Sequence, residues 1–374
     1  MPTGDQALSD FIRQTIRRDG PVTFAWFMEQ ALYHPELGYY SSGRCQVGRR
    51  GDYFTNVSVG PLFGKMLAAQ FAEMWEVLGR PDDFAIVEQG AHSGDFARDV
   101  LETLRERQPN FFATLRYFVV EPFPVLEARQ REALRAFSGK VSWWKSLEEM
   151  PRFSGVHFSN ELLDSMPVRL VAREENGEWQ ERLVAEAGEG FQFVTRPITD
   201  QELRERLAKL PPAGRTAYET EISLAALDWI EGVAARLQRG FVLAIDYGFC
   251  RSEFFAPERR LGTLQGYAAH RPVSSPLDQI GQADIASHLE WTSLAERAEQ
   301  CRLTIAGFTD QHHFRTGMLS VVEPAEDQRR ALQTLMHPEF LGTRFQYLAL
   351  SKDVPSAALT GFRFARDARK ALWP

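Results

Sequence analysis

The sequence predicts an α/β fold with a doubly wound, mostly parallel sheet of Rossmann-like type, an N-terminal helical extension, and inserted hairpin and loop segments. Segments typical of strands alternate with segments typical of helices along most of the chain, which is the pattern of a doubly wound sheet. Several strand segments are almost continuously apolar, among them 85–87, 118–120 and 242–245. Such runs are typical of strands buried on both faces of a parallel sheet.

The elements can be assigned in order along the chain. Residues 5–33 are predicted to be helical, 34–60 to form a long loop, and 61–78 to form an amphipathic helix, because apolar residues recur there every three or four positions. Residues 168–195 alternate apolar and polar around a turn, which predicts an antiparallel hairpin, whereas 250–285 has little periodicity. The other strands are predicted at 84–89, 116–122, 155–161, 240–248, 302–308 and 345–352, and the other helices at 95–107, 124–137, 219–238 and 325–336.

Length and composition are those of a large globular protein. The chain has 374 residues, of which 44% are hydrophobic and 25% are charged. This length favours one large domain with insertions, or two domains. We predict a helical extension and loop over 1–60 and the main domain over 61–374, with insertions at about 168–217 and about 250–285.

Several functional classes are disfavoured. The net charge of −7 argues against a general nucleic-acid binder, which needs a basic face. Cys45, Cys250 and Cys301 are far apart in the sequence, so no zinc site is predicted. No apolar run reaches the roughly 18 residues of a membrane helix, and the first residues lack the apolar region of a signal peptide. We therefore predict a cytoplasmic protein without a metal ion, a nucleic-acid partner or a membrane span.

The turn between the first main strand and its helix is the first candidate binding site. Gly90 and Gly94 lie there, where ligands bind in open α/β sheets, and glycine allows both a positive φ and a close approach of a ligand. Dinucleotide loops carry G-x-G-x-x-G, whereas here the spacing is G-x-x-x-G and Asp95 would repel a pyrophosphate. S-adenosylmethionine has no phosphate, and its ribose hydroxyls need an acidic residue at the end of the next strand, where Glu121 lies. The turn therefore favours S-adenosylmethionine over NAD, unless Glu88 and Glu121 only end their strands.

Longer motifs occur in a characteristic order. They include ALYHPELGYY at 31–40, VEQGAHSGDFARDVL at 87–101, SNELLDSMPV at 159–168 and GTLQGYAAHRP at 262–272. In these motifs, and over nearly the whole chain, the sequence resembles the MidA-like class I S-adenosylmethionine-dependent methyltransferases. The resemblance implies the class I methyltransferase fold and S-adenosylmethionine as cofactor. It also implies methylation of an exposed arginine on a protein, because mitochondrial relatives methylate an arginine in a subunit of respiratory complex I.

The resemblance also indicates cofactor-binding residues. They are Thr55, Glu88, Gly90, His92, Gly94, Glu121 and Asn160. The sequence departs from the family pattern at His92, which replaces the middle glycine of the loop, and at Val57 and Ser58, which replace a proline and a glutamate. The side chain of His92 has three alternatives: it tilts outward, it contacts the methionine end of the cofactor, or it blocks the site.

Glu161 and Asp164 are the candidate catalytic residues. They follow a strand and are three positions apart, so a helical turn would point both carboxylates the same way. Two carboxylates could clamp a planar guanidinium and align one nitrogen with the methyl sulfonium. The alternative is that Asp164 caps a following helix.

The candidate substrate-side residues lie later in the chain. Asp246 ends a strand, His270 lies in the irregular segment, and Asp284 and His288 would be one turn apart on a helix. The predicted function is methylation of an arginine on a protein. The alternatives are a small-molecule O- or N-methyltransferase and a non-catalytic assembly or binding protein with a degenerate cofactor site. The oligomeric state stays open, with a homodimer as one alternative.

Overall fold

The computed structural model describes residues 4–45, 60–174, 177–210, 217–268, 271–336 and 345–374. The helices are α1 (Gln6–Asp19), α2 (Phe24–Tyr33), α3 (Leu62–Val77), α4 (Asp95–Arg107), α5 (Pro109–Thr114), α6 (Pro124–Ala133), α7 (Gln201–Leu207), α8 (Leu224–Arg236), α9 (Arg251–Phe254), α10 (Trp291–Gln300), α11 (Gln311–Met318), α12 (Arg329–Met336) and α13 (Ala368–Leu372). The strands are β1 (Val22–Thr23), β2 (Ala85–Gln89), β3 (Arg116–Val120), β4 (Val141–Trp144), β5 (Phe153–Asn160), β6 (Arg169–Arg173), β7 (Trp179–Ala187), β8 (Gly190–Pro197), β9 (Tyr218–Ile222), β10 (Leu237–Phe249), β11 (Gln265–Ala268), β12 (Arg271–Pro272), β13 (Asp284–Ala286), β14 (Leu289–Glu290), β15 (Thr304–Asp310) and β16 (Phe345–Lys352).

Contacts between residues divide the chain into two compact units. The first unit consists of Met1–Phe54, Leu163–Asp228 and Phe249–Glu290, and the second of Thr55–Leu162, Trp229–Gly248 and Trp291–Pro374. The first unit therefore combines the N-terminal segment with the whole of both predicted insertions. The predicted domain boundary at residue 60 stays a prediction.

The second unit is built on a largely parallel sheet. Its strands follow the order β15-β16-β10-β5-β2-β3-β4. The five strands from β10 to β4 are parallel to their neighbours, whereas β16 is antiparallel to both β10 and β15. Chain order reverses at β2, which β3 flanks on one side and β5 on the other. The predicted doubly wound α/β fold is confirmed.

Aromatic packing holds two helices of the second unit against this sheet. The rings of Phe96 on α4 and Phe158 on β5 stack with their centroids 4.5 Å apart. Phe71 on α3 meets Phe158 edge-on at 5.6 Å. All three side chains are buried, and aromatic pairs add about 1 kcal/mol each to the free energy gained by burial. This core fixes the start of α4, and with it the turn that follows β2.

The first unit is built on antiparallel sheets. One sheet has the strand order β1-β7-β6-β9, with β8 paired to β7, and a smaller one has the order β12-β11-β13. The predicted hairpin corresponds to β6 and β7, which pair antiparallel from Leu170↔Arg182 to Arg173↔Trp179. Helices α1 and α2 contribute Ile12, Phe24 and Phe27 to the core of this unit.

Some predicted elements were wrong in detail. Residues 219–222 were predicted as the start of a helix but lie in β9, which pairs with β6, and the helix begins only at Leu224. Strand β4 was not predicted. Within the described residues, no helix is long and apolar enough to cross a membrane.

Candidate active site

The loop between β2 and α4 turns through left-handed backbone conformations. Gly90 has a φ of +84°, His92 of +45° and Gly94 of +83°. A Cβ atom on Gly90 would lie 3.3 Å from Cδ1 of Leu162, and one on Gly94 would lie 3.3 Å from Cα of Gln130. The positive φ angles therefore favour glycine at both positions, and a side chain there would also press on its neighbour.

His92 adopts a conformation that suits glycine. For most L-amino acids the left-handed region costs about 1–2 kcal/mol, although histidine is among the residues enriched there. The carbonyl oxygen of His92 accepts a hydrogen bond of 3.0 Å from Nε2 of Gln130. The left-handed backbone at this position explains why the family pattern usually has a glycine there. The backbone keeps this conformation with a histidine in place.

The first turn of α4 carries an acidic residue. The carboxylate of Asp95 accepts a hydrogen bond of 2.5 Å from the Ser93 hydroxyl and forms an ion pair of 2.7 Å with Arg98. A carboxylate here complements the positive end of the helix dipole and disfavours a second anion. The helix N-terminus therefore fits a cofactor without phosphate better than a dinucleotide.

Glu121 follows directly after β3, and its carboxylate is held in place. The side chain is buried. Its Oε1 atom accepts a hydrogen bond of 3.0 Å from the backbone N–H of Phe123, and its Oε2 atom accepts one of 2.7 Å from Nε2 of Gln130. Burial raises the pKa of Glu121 to about 7, so donors that favour the ionised form decide its charge near neutral pH.

Glu88 and Gln89 form the end of β2. The Glu88 carboxylate is buried and accepts a hydrogen bond of 2.7 Å from the hydroxyl of Tyr117 on β3. Burial raises the pKa of Glu88 to about 7. Gln89 accepts a hydrogen bond of 3.0 Å from Nε1 of Trp229. Both side chains therefore brace the strand end that carries the glycine loop.

Glu161 follows directly after β5, whereas Asp246 lies within the neighbouring parallel strand β10, which continues to Phe249. The prediction that Asp246 ends its strand was therefore wrong, because pairing with β16 carries β10 beyond it. The backbone N–H of Glu161 donates to the carbonyl of Ile245 at 3.0 Å, and Asn160 Nδ2 donates to Glu161 Oε1 at 2.8 Å. Glu161 has a φ of +52°, and strained backbone of this kind clusters at functional sites. Asp246 is fully buried, and its Oδ1 accepts a hydrogen bond of 2.8 Å from the N–H of Tyr247.

A buried cation that the sequence analysis missed lies in the same unit. Arg315 on α11 is buried, and its Nη2 donates to Gln311 Oε1 at 3.1 Å. The same oxygen accepts a hydrogen bond of 3.1 Å from the Tyr347 hydroxyl. Burial raises the pKa of Tyr347 to about 12, Arg315 opposes this rise, and the charge of Glu161 adds to it. No local pattern in the sequence distinguishes Arg315 from a surface arginine.

The first unit brings two predicted carboxylates close to the tyrosines of the ALYHPELGYY motif. Tyr33 and Tyr40 stack with ring centroids 5.6 Å apart. The hydroxyl of Tyr40 donates to Asp284 Oδ1 at 2.7 Å, and that of Tyr33 donates to the carbonyl of Ser165 at 3.0 Å. Burial raises the pKa of Tyr33 above its ordinary value, and the charges of Asp284 and Asp164 add to this.

One buried carboxylate, that of Glu221, holds the GTL motif at 262–264 in the first unit. Glu221 Oε1 accepts hydrogen bonds of 2.7 Å and 2.6 Å from the backbone N–H groups of Thr263 and Leu264. Gly262 has a φ of +73°, and a Cβ atom there would collide with the Glu221 carboxylate. The hydroxyl of Thr263 in turn accepts a hydrogen bond of 3.0 Å from the N–H of His288.

Two predicted helical spacings are absent. Residues 161–166 form bends and turns without a helix, so Glu161 and Asp164 do not share a helical turn and Asp164 caps no helix. Asp284 lies on β13, paired with Tyr267, and not on a helix with His288. Thr55 and His270 lie outside the described residues.

A glycine loop after one parallel strand and a buried carboxylate after the next define a Rossmann-like domain for an adenosyl cofactor without phosphate. Residues 66–309 match a family of S-adenosyl-L-methionine-dependent methyltransferases. A protein from Burkholderia thailandensis, crystallised with bound S-adenosyl-homocysteine, is 32% identical with a TM-score of 0.88, and the match covers 98% of this chain and 96% of that protein's chain. A native structure from the same organism and superfamily is 31% identical with a TM-score of 0.85 over the same shares. The chain belongs to this family of S-adenosylmethionine-dependent methyltransferases, which confirms the predicted cofactor.

Curated relatives cover nearly the whole chain. The Drosophila melanogaster relative, "Protein arginine methyltransferase NDUFAF7 homolog, mitochondrial", is 26% identical over 96% of this chain and 87% of its own length. The Homo sapiens protein named "Protein arginine methyltransferase NDUFAF7, mitochondrial" is 24% identical over 95% of this chain and 85% of its own. The predicted cytoplasmic location is contradicted, because these relatives are named as mitochondrial.

Proposed function

We propose that this methyltransferase transfers a methyl group to the guanidinium of an arginine in a protein. Two relatives with nearly full coverage are named protein arginine methyltransferases. The observation that carries the proposal is the pair of carboxylates next to the last paired residues of β5 and β10, Glu161 after Asn160 and Asp246 after Ile245, of which Glu161 has a left-handed backbone. A cationic acceptor needs such carboxylates, whereas a neutral small molecule does not.

The cofactor site proposed for the second unit consists of the Gly90–Gly94 loop and Glu121. The loop fits the group because its backbone carries no side chain at Gly90 and Gly94, which lets a ligand approach closely. Glu121 fits because its carboxylate is fixed by two donors and could accept the two ribose hydroxyls. The cofactor supplies a methyl group on a positively charged sulfur.

Glu161 is proposed to orient the acceptor. A carboxylate can accept two parallel hydrogen bonds from a guanidinium and so leave the remaining nitrogen directed toward the methyl group. It also draws positive charge away from that nitrogen, which makes the nitrogen a better nucleophile. Asn160 restrains the Glu161 carboxylate through the hydrogen bond of 2.8 Å. Most of the rate would come from this alignment.

The roles of Asp164, Asp284 and His288 toward a substrate stay proposals of the same kind. They belong to the first unit, where Asp284 is held by Tyr40 and His288 by Thr263.

The proposal is tested by radiolabelling. The purified chain is incubated with S-adenosylmethionine labelled at the methyl group and a protein extract, and the labelled proteins are hydrolysed to amino acids. The proposal expects label in methylated arginine, and a rate lower by about a hundredfold in Glu161→Gln. Glu127→Gln changes a carboxylate paired with Arg131 on α6 and should leave the rate unchanged. Label confined to small molecules, or equal rates for wild type and Glu161→Gln, would refute the proposal.

A further inference from the structure

The side chain of Gln130 on α6 lies where the glycine loop and the end of β3 meet. We propose that Gln130 is a positioning residue for cofactor binding, because it holds the Glu121 carboxylate and the His92 carbonyl in one fixed arrangement. This inference rests on the cofactor site proposed above. Neither the sequence motifs nor the family resemblance indicates this residue.

Every polar atom of the Gln130 side chain has a partner. Nε2 donates to Glu121 Oε2 at 2.7 Å and to the carbonyl of His92 at 3.0 Å, and Oε1 accepts from Trp143 Nε1 at 3.0 Å. A side-chain amide has two N–H donors, and both are used. The partners also settle the orientation of the amide, since two acceptors lie on one side and a donor on the other. Gln130 is fully buried, so rotation of the amide would break all three bonds without compensation from water.

Gly94 allows this arrangement. A Cβ atom at Gly94 would lie 3.3 Å from Cα and 3.5 Å from Cγ of Gln130. The glycine at position 94 therefore lets α6 pack closely against the start of α4, since a side chain there would press on Gln130. The second glycine of the loop thus has a role besides the turn, which is to admit Gln130 between the loop and the acidic strand end.

The amide also affects the charge of Glu121. An N–H donor favours the ionised carboxylate, whereas burial favours the neutral form. Ribose hydroxyls bind best to the ionised form, which accepts hydrogen bonds at both oxygens. Loss of the Gln130 donor should therefore raise the pKa of Glu121 further and move the fall of cofactor affinity to higher pH. A residue that only ties α6 to the sheet would not move this pH profile.

The test is calorimetric titration of the full chain with S-adenosylhomocysteine across a pH series. Gln130→Met and Gln130→Leu each remove both donors at similar volume and introduce no charge beside Glu121. Trp143→Phe is the matched control, because it removes only the third hydrogen bond. We expect both Gln130 variants to raise Kd about tenfold near neutral pH and to move the pH of half-maximal affinity upward by about one unit. Trp143→Phe leaves both donors to Glu121 and His92 in place and should therefore have a smaller effect on both quantities.

Three outcomes would overturn the inference. Either Gln130 variants that fold and bind with the wild-type pH profile, or an equal shift in Trp143→Phe, would mean that the network is only structural. Absence of binding by the wild type would refute the proposed cofactor site itself, and the inference with it. Failure of the inference alone can be distinguished from failure of the proposed cofactor site, because the wild type fails to bind only if the cofactor site is wrong.

Discussion

Replacement of His157 with phenylalanine should remove a loss of stability that the wild-type chain suffers at mildly acidic pH. His157 lies on β5 between Val87 and Val242 of the neighbouring strands. It is fully buried, and neither ring nitrogen has a hydrogen-bond partner among the described residues. The ring instead meets Trp229 edge-on, with the centroids 5.4 Å apart.

The magnitude follows from the pKa of the buried ring. Burial lowers the pKa of His157 from 6.5 to about 3. Between these values the imidazole is neutral in the folded chain but protonated in the unfolded chain, so the unfolded state binds more protons. Stability is therefore complete above pH 6.5 and falls as the pH drops toward 3. Each unit below the unfolded pKa costs about 1.4 kcal/mol, which gives about 2 kcal/mol at a pH of about 5.

The assay is urea unfolding at about pH 7.5 and at about pH 5. The change between the two pH values is compared in the wild type, in His157→Phe and in His313→Gln, whose histidine is exposed. Packing differences between imidazole and phenyl cancel, because each protein is compared with itself. The wild type and His313→Gln should lose about 2 kcal/mol more than His157→Phe. Equal losses in all three proteins would refute the reasoning.

Three further predictions concern other residues. His92→Gly should change the unfolding free energy by less than about 1 kcal/mol from the wild type, because relief of the left-handed backbone strain offsets the flexibility of glycine. The variant should also bind S-adenosylhomocysteine in calorimetry, and loss of binding would contradict this prediction. Between about pH 4.5 and about pH 8, the unfolding free energy of Glu88→Gln measured in urea should rise by about 3 kcal/mol relative to that of the wild type. Burial raises the Glu88 pKa to about 7, so ionisation of Glu88 destabilises the wild-type fold as the pH rises. A difference between the two proteins that does not change with pH would refute this prediction. Tyr40→Phe should lower the unfolding free energy by about 2 kcal/mol, because Asp284 loses its hydrogen bond of 2.7 Å; an unchanged value would count against that bond.

The strands of the main sheet could be predicted because burial on both faces leaves a direct mark on the sequence. The run Ala85-Ile86-Val87 is apolar without alternation, and all three residues are buried. Strands β4 and β9 left no such mark. The four residues of β4 are too short for a period, and β9 depends on pairing with β6, which no local pattern records.

Some residues of the candidate site could likewise be predicted from the sequence, whereas others depend on packing that leaves no local pattern. Gly90, Gly94 and Glu121 could be found because each occupies a fixed place relative to a strand end. Gln130 could not, because its contacts arise only when α6 packs against the glycine loop. The helical spacing assigned to Asp284 was wrong because pairing of β13 with β11 overrides a spacing of four residues.

The glycine loop and Glu121 are proposed to hold the cofactor, and one titration tests this role most directly. S-adenosylhomocysteine is titrated by calorimetry into the wild type, into Glu121→Ala, and into Glu132→Ala, which changes an exposed carboxylate on α6 that pairs with Arg135. We expect micromolar binding by the wild type and the control, and binding weakened by at least about thirtyfold in Glu121→Ala, which loses hydrogen bonds to a charged group. Equal affinity in Glu121→Ala and wild type would contradict the account, because the cofactor would then bind without the carboxylate that ends β3.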